Sequence, residues 1–232
     1  MTPCRGTVYL RERACLWCRG VTLGQTAGVK VTVGNLKGGV AKSTTAIYLA
    51  CGLAVSGRVL LVDADGTNAS VLDWSSNAQD WPAGIVVVPW PVEDLARKVR
   101  AVAGDYDHVV IDTGPEQSTL LRQALMVTDE IVVPVSPSPM ELRKLGHTFQ
   151  AAAEADAVSP VTARVLLVKV RAGTRSSVEA RDYLHELGLP VMDAQVHLRE
   201  AYSLAWGTAP DDLAEYGDVL TELAAPLTEA AA

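Results

Sequence analysis

The feature that most constrains this chain is a glycine-rich loop between a strand and a helix. An apolar strand (Val29–Val33) precedes the loop, and a helix with apolar residues at helical spacing (Lys42–Ser56) follows it. A glycine pair lets the backbone curl until its N–H groups converge, and the helix N-terminus adds a positive dipole end. Such a loop is suited to phosphate. The predicted phosphate-binding residues are Lys37, Gly38, Gly39, Val40, Ala41, Lys42, Ser43 and Thr44.

Two residues of this loop carry the expected chemistry. Lys42 can place its ammonium on the β- and γ-phosphates, and the Ser43 hydroxyl can bind Mg²⁺. The loop departs from the pattern G-x-x-x-x-G-K-[ST], because Leu36 and Ala41 occupy the glycine positions. Alanine at position 41 is expected only with a negative φ. The alternative is a glycine turn with incidental lysines, but lysines on both sides and the Ser-Thr pair favour the phosphate loop.

Apolar strands and helical segments alternate along the rest of the chain. Predicted strands are Arg58–Asp63, Ile85–Val88, His108–Asp112, Glu130–Val135 and Arg164–Val170. Predicted helices are Val92–Val102, Glu116–Val127, Met140–Ala155, Ser176–Leu187 and a helical last stretch, Asp211–Ala232. Strands that are apolar on both faces indicate a sheet covered by helices on both sides. We therefore expect an α/β fold with a doubly wound, mostly parallel sheet, formed by residues 29–232.

Composition limits the classes of protein that remain. Hydrophobic residues make up 49% of the chain, enough for a sizeable core. No apolar run approaches the ~20 residues that a membrane-spanning helix needs. The net charge of −7 argues against a protein coated in positive charge for nucleic acid, although one basic face remains possible. A cytoplasmic protein is expected.

Residues 1–28 differ from the rest of the chain. They hold four arginines, one glutamate and three cysteines, and they show no sustained period. Cys15 and Cys18 have metal-ligand spacing, but with Cys4 they supply three of the four ligands that zinc needs, and no histidine is near. We expect a dispensable, irregular extension or an upstream mis-start, with Val29 or Val21 as the natural start. The alternative is a DNA-binding or metal-binding arm.

Carboxylates follow two of the predicted strands. Asp63 and Asp65 lie at the end of one strand, and Asp112 ends another. Carboxyl ends of parallel strands form the crevice in which α/β proteins bind ligands. Asp112 could hold Mg²⁺ there. The alternative makes these aspartates turn residues or helix caps.

The loop, with its additional Lys37, closely resembles the deviant Walker A signature of the ParA/MinD superfamily of P-loop ATPases. The segment Glu130–Pro139 (EIVVPVSPSP) resembles the corresponding segment of small plasmid-type ParA proteins. The resemblance implies ATP and Mg²⁺ as cofactors, with Lys37, Lys42 and Asp65 as catalytic residues. It also implies that Lys37 reaches the nucleotide of a partner subunit, that Asp65 positions the attacking water, and that Ser43 and Asp112 hold Mg²⁺, Asp112 directly or through water.

The resemblance further implies a function in partitioning. An ATP-dependent homodimer would bind nonspecific DNA, and a ParB-like centromere-binding protein would stimulate hydrolysis, placing the protein on the nucleoid and not on a membrane. The expected DNA contacts are Arg171, Arg175 and Arg199, chosen from a group that also includes Lys169 and Arg181. Acidic residues are interspersed with these cations, so an ordinary solvated face is the alternative. Arg97, Lys98 and Arg100 are the other candidate DNA face.

Two other functions of the same core remain open. A MinD-like positioning ATPase needs a basic amphipathic helix at its C-terminus, whereas residues 221–232 contain two glutamates and no lysine or arginine. A metabolic ligase of the dethiobiotin-synthetase type needs its own set of polar substrate-binding groups, and none is recognisable. An iron–sulfur carrier is excluded because Cys51 is the only cysteine after the loop.

Overall fold

The computed structural model of the protein describes residues 28–225. Its centre is a sheet of seven strands: β1 (Lys30–Val33), β2 (Val59–Ala64), β3 (Ile85–Pro89), β4 (His108–Thr113), β5 (Glu130–Val135), β6 (Thr162–Val170) and β7 (Val191–His197). The strands lie in the order β3-β2-β4-β1-β5-β6-β7, and every neighbouring pair is parallel. The expectation of a mostly parallel sheet is confirmed, since the described sheet is wholly parallel.

Helices cover both faces of this sheet. They are α1 (Lys42–Leu53), α2 (Ser70–Asn77), α3 (Leu95–Val102), α4 (Ser118–Leu125), α5 (Pro139–Leu142), α6 (Leu145–Asp156), α7 (Ser176–Glu186), α8 (Glu200–Leu204) and α9 (Tyr216–Ala224). A 3-10 turn (Ala103–Asp105) follows α3.

Alternate strand residues divide the core between the two faces. On β2, Val59 and Leu61 pack with α1, α2 and α9, whereas Leu60 and Val62 pack with α3 and α4. On β6, Leu166 and Val168 join the first face. Val165, Leu167 and Val170 pack with α4, α6 and α7 on the second. A sheet covered by helices on both faces in this way is doubly wound. Because successive strand residues point to opposite, buried faces, the inner strands contain runs of consecutive apolar residues.

Several elements differ from the sequence-based expectation. Helix α1 ends at Leu53, three residues earlier than predicted, and the segment predicted as one helix over Met140–Ala155 is divided by a turn at Arg143 and Lys144. Helix α2 and strand β7 were not predicted. β7 carries Asp193 and Gln195, which an edge strand with a single neighbour tolerates.

Two expectations concern residues beyond the described range. The irregular extension of residues 1–28, with Cys4, Cys15 and Cys18, lies outside it except for Gly28. The predicted C-terminal helix Asp211–Ala232 is observed as α9 only, and residues 226–232 also lie outside the described range.

Candidate active site at the carboxyl edge of the sheet

Three strand ends bring the predicted site residues together. β1 leads into the glycine loop, and its last residue, Val33, is in register with Asp112 at the end of β4. On the other side of β4, Asp112 is in register with Asp63 of β2. The loop and both aspartate-bearing strand ends therefore share one crevice at the carboxyl edge, as expected for a parallel sheet.

The glycine loop takes a left-handed conformation at two positions. Gly39 has φ 76°, and Ala41, immediately before α1, has φ 60°. The expectation of a negative φ at Ala41 is therefore wrong. A left-handed alanine costs about 1–2 kcal/mol because its Cβ crowds the backbone. Alternation of left- and right-handed residues forms a concave nest of backbone N–H groups, so this cost is consistent with an anion-binding loop.

Lys42 is the buried cation of the loop. Its side-chain Nζ donates to the Lys37 carbonyl at 2.9 Å, and the residue is only 7% exposed. Burial lowers the pKa of the Lys42 ammonium, while the carboxylates of Asp112 and Asp65 act in the opposite direction. An anionic ligand would offset the cost of burying this ammonium by pairing with its charge, so the site is suited to phosphate.

Ser43 and Asp112 form the oxygen pair beside Lys42. Ser43 Oγ donates to Asp112 Oδ2 at 2.6 Å. Asp112 is fully buried, and its Oδ1 has no hydrogen-bond partner among the described residues. Burial raises the pKa of Asp112 to about 7, although the hydrogen bond from Ser43 and the charge of Lys42 oppose this shift. A buried carboxylate oxygen without a donor is suited to a cation.

Asp65 and Asp63 also perform the structural tasks that the alternative assigned to them. Asp65 Oδ1 accepts hydrogen bonds from the backbone N–H of Thr67 at 2.8 Å and of Asn68 at 3.3 Å. Asp63 Oδ2 accepts from the N–H groups of Val71 and Leu72 at the start of α2. Asp65 nevertheless lines the same cleft as the loop, so its turn-forming role and a role toward a ligand are compatible.

Lys37 is placed differently from Lys42. It is half-buried, and its Nζ donates to the Gly38 carbonyl at 3.3 Å. The cleft of about 380 Å³ over the loop is lined by all of residues 38–44 but not by Lys37. Further lining residues are Asp65, Asn68, Ser70, Asp73, Trp74, Pro115 and Trp206. A second cleft of about 370 Å³ adjoins the first. Trp74 and Trp206 line both clefts, whereas Tyr202 and Lys169 line only the second of the two.

Sequence reasoning missed several residues at this edge. Lys169, at the end of β6, donates from Nζ to the Gly39 carbonyl at 2.7 Å. The Gln117 amide lies 3.1 Å from Thr67 Oγ1 and so connects the loops after β4 and β2. Trp206 comes from the distant α8–α9 connection. No local sequence pattern predicts these positions at the site, because each residue is brought there by the tertiary arrangement of distant elements.

The expected DNA-binding arginines are divided between two environments. Arg171 and Arg175 are exposed after β6, and Arg175 Nε lies 3.6 Å from Glu179 Oε1 in an exposed ion pair. Arg199 instead donates to Glu215 Oε1 at 2.6 Å. The same carboxylate accepts from Tyr202 at 2.5 Å and lies 2.8 Å from His197 Nδ1. Arg199 is therefore engaged in a structural contact.

Glu215 joins the C-terminal elements to the loop helix. Its partner Tyr202 packs edge-on against Tyr48 of α1, with ring centroids 5.3 Å apart. Burial alone would raise the pKa of Glu215, but the hydrogen bonds of Tyr202, His197 and Arg199 outweigh it and lower this pKa to about 2. The carboxylate form of Glu215 thus stabilises the folded state.

Replacing Glu215 by glutamine is expected to lower the free energy of unfolding by about 2 kcal/mol at pH 7, because several hydrogen bonds to a charged, half-buried acceptor are weakened together. The folded-state pKa lies below the ordinary value of 4.5. The stabilisation of the folded state by the Glu215 carboxylate is therefore complete above about pH 4.5 and is lost as the pH falls through about 2. Urea unfolding of both proteins at several pH values measures this. Glu186→Gln, at an exposed glutamate, is the matched control, and a difference independent of pH would contradict the assignment.

Two negative findings apply to residues 28–225. They contain no group of three or more histidine, cysteine, aspartate or glutamate residues that could hold a metal ion. Cys51 is free in α1, and burial raises the pKa of its thiol to about 12. Over the same residues, no helix is long and apolar enough to cross a membrane.

Known proteins share this sequence and architecture. The family of CobQ/CobB/MinD/ParA nucleotide-binding domains matches residues 31–208. "Maintenance of carboxysome distribution protein A" of Gloeobacter kilaueensis is 35% identical over 177 residues, which cover 75% of this chain and 79% of that protein. "Protein ParA" of Rhizobium radiobacter is 25% identical, with 75% and 80% covered.

A solved structure has the same fold. The ATP complex of a variant of Cyanothece McdA superposes with a TM-score of 0.68 at 15% identity, covering 85% of this chain and 96% of that one. The family match spans most of this chain and includes the loop, the three aspartates and Lys169. The chain therefore belongs to the CobQ/CobB/MinD/ParA nucleotide-binding family, as a P-loop ATPase of the ParA/MinD type.

Proposed function

We propose that this chain is a ParA-type positioning ATPase whose ATP-bound dimer binds nonspecific DNA and distributes a cargo through a partner protein. One observation carries the proposal: Lys42, Ser43 and Asp65 line the loop cleft, and the buried Asp112 is hydrogen-bonded to Ser43, whereas Lys37 does not line the cleft of its own subunit. The first four residues suit nucleotide hydrolysis, and the placement of Lys37 suits a contact with a second subunit.

The oxygen atoms beside the loop fit Mg²⁺. Asp112 Oδ1 is buried without a donor, and Ser43 Oγ is already held at the other carboxylate oxygen. Both are hard oxygen ligands of the kind that Mg²⁺ prefers. Ser43 and Asp112 would hold the ion, Asp112 directly or through water. When bound, Mg²⁺ supplies neutralisation of phosphate charge.

The remaining residues have separate tasks in hydrolysis. Lys42 neutralises the phosphates from within the subunit, and the N–H groups of residues 38–44 orient them. Asp65 is near the loop and anchored by two backbone donors, so it can orient a water molecule with little loss of entropy. The adjoining cleft, with Trp74, Tyr202 and Trp206 in its walls, is suited to the nucleoside.

Two kinds of cargo fit this proposal. A plasmid or chromosome with a ParB-like centromere-binding partner is the function expected from the proline segment, and one relative is named ParA. A protein body is the second candidate, because a relative at 35% identity is named for the distribution of carboxysomes. Co-purification of the full chain with its ATP-dependent partner separates the two: a DNA-bound partner supports the first, and a partner attached to a protein body supports the second.

The metabolic-ligase alternative is tested by turnover. Hydrolysis that is slow and stimulated by DNA supports positioning, whereas ATP consumption that depends on a small carboxylic acid supports a ligase. The MinD-like alternative depends on residues 221–232, of which 226–232 lie outside the described range, and vesicle binding by the full chain tests it. We place the protein on nucleoid DNA in the cytoplasm.

The DNA-binding proposal rests on exposed cations after β6. Among residues 28–225, Arg171 has no ion-pair partner and Arg175 has one long, exposed contact with Glu179, whereas Arg199 is held by Glu215. Reversing the charge of the first two residues (Arg171→Glu with Arg175→Glu) is expected to weaken DNA binding at least tenfold and to flatten its salt dependence by about two counterions. Arg199 is left unchanged, because its replacement would also disturb the Glu215 contacts.

The measurement is binding of the full chain to a random-sequence duplex with ATP, with ADP and without nucleotide, over a range of salt. Wild type is expected to bind with ATP and weakly otherwise. The matched control reverses Arg97 and Lys98 on α3, which should leave binding unchanged. Loss of binding in that control alone would move the DNA face to α3, and equal binding in all nucleotide states would contradict an ATP-dependent DNA-bound state.

A further inference from the structure

Lys169 makes a contact with the phosphate loop that neither the resemblance nor the proposed function uses. It is the penultimate residue of β6 and is exposed, yet its Nζ is 2.7 Å from the Gly39 carbonyl oxygen. The two residues are 130 positions apart in the sequence. The contact therefore joins the outer half of the sheet to the loop over β1.

The backbone of Lys169 is strained, which indicates that its side chain is needed. Its φ is 55°, a conformation that glycine takes without penalty and that costs other residues about 1–2 kcal/mol. Within residues 28–225, four of the five non-glycine residues with positive φ lie at this carboxyl edge: Ala41, Ala69 and Glu116 in connections, and Lys169 near the end of β6. Strain that persists at such positions is typical of functional sites.

The geometry of a peptide unit gives the contact a consequence for phosphate binding. In a planar trans peptide, the C=O of one residue and the N–H of the next point in opposite directions. A lysine that holds the Gly39 carbonyl outward therefore fixes the Val40 N–H in the opposite direction. Val40 lines the cleft over the loop, and Gly39, with no Cβ and φ 76°, could otherwise rotate this peptide.

We infer that Lys169 is a positioning residue that holds the Gly39–Val40 peptide in its phosphate-binding orientation and thereby raises the affinity for ATP. The inference rests on the proposed binding of ATP at this loop. Lys169 acts before the nucleotide arrives, so its loss should appear in the dissociation constant of ATP and much less in the turnover of the saturated enzyme.

The test compares three replacements in the full chain. Lys169→Met keeps the aliphatic stem and removes the donor, and we expect ATP affinity to fall about five- to tenfold, as for the loss of one hydrogen bond of ordinary net strength. Lys169→Arg retains a donor and should restore most of the affinity. Lys169→Gly removes both the donor and the strain, so affinity should fall while the thermal midpoint without nucleotide does not fall. A merely structural residue would lose affinity and stability together.

ATP affinity is measured by calorimetry with Mg²⁺, and turnover by phosphate release at saturating ATP. Lys144→Met, which removes one exposed lysine charge elsewhere, is the control and should bind ATP like wild type. Wild type without ATP binding would overturn the proposed function itself. Wild-type affinity in Lys169→Met, or weaker DNA binding with unchanged ATP affinity, would overturn only the role of Lys169.

Discussion

Replacing Lys42 by alanine is expected to weaken ATP binding at least a hundredfold and to remove measurable hydrolysis. The Lys42 ammonium is almost wholly buried at the loop, 2.9 Å from the Lys37 carbonyl. Two hydrogen bonds from a charged donor to phosphate contribute about 1.5–3 kcal/mol each, so their combined loss corresponds to a factor of about 100 or more. Calorimetry with ATP and Mg²⁺ measures the change.

Two comparisons show whether this loss reflects phosphate binding. Lys42→Met retains the aliphatic stem, so it should bind ATP as poorly as the alanine variant while its thermal midpoint stays closer to that of wild type. Lys144→Met removes an exposed lysine charge and should behave like wild type. If both Lys42 variants bind ATP within twofold of wild type, this loop is not the phosphate-binding site of the protein.

The fold could be predicted from sequence wherever local patterns decide it. Strands buried on both faces are mostly apolar, so the apolar runs of β2 and β4 made these strands predictable. Edge strand β7 has one neighbour and keeps polar residues, and α2 is a short amphipathic helix whose N-terminal N–H groups are capped by Asp63, eight and nine positions earlier in the chain. Neither element has a strong local signal.

The candidate site likewise contains residues that could be predicted from sequence and residues that could not. The loop and the strand-end aspartates were predictable because the chemistry of phosphate and Mg²⁺ restricts residue type and position. The sign of φ at Ala41 was not predictable. The loop requires a left-handed residue at this position, and that requirement overrides the preference of alanine for a negative φ. Lys169 was expected only as a candidate DNA contact, and Glu215 was given no site role, since their observed contacts depend on which strands are neighbours and not on sequence spacing.

Replacing Lys37 by alanine is expected to leave ATP affinity within about threefold of wild type and to lower hydrolysis at least a hundredfold, an effect of the size seen when a charge that stabilises a transition state is removed. Lys37 does not line the cleft of its own subunit, and its Nζ donates a hydrogen bond to the Gly38 carbonyl. Its contribution would be made in the nucleotide site of the other subunit. Lys42 and Lys37 are five residues apart, so the two alanine variants separate binding from catalysis within one loop.

A mixture of the two inactive variants tests the direction of this contact. In a mixed dimer, the Lys37→Ala subunit binds ATP through its own Lys42, and the Lys42→Ala subunit supplies the missing Lys37 from across the interface. ATP is supplied at a concentration that saturates even the weakened Lys42→Ala subunit, so that both variants can dimerise. Random assembly from equal amounts should then place one complete site in half of the dimers, and turnover should return to about a quarter of the wild-type rate. Phosphate release from the mixture, with light scattering to show that dimers form, measures this recovery. Dimers without recovered turnover would show that Lys37 acts within its own subunit, and the two-subunit active site would have to be abandoned.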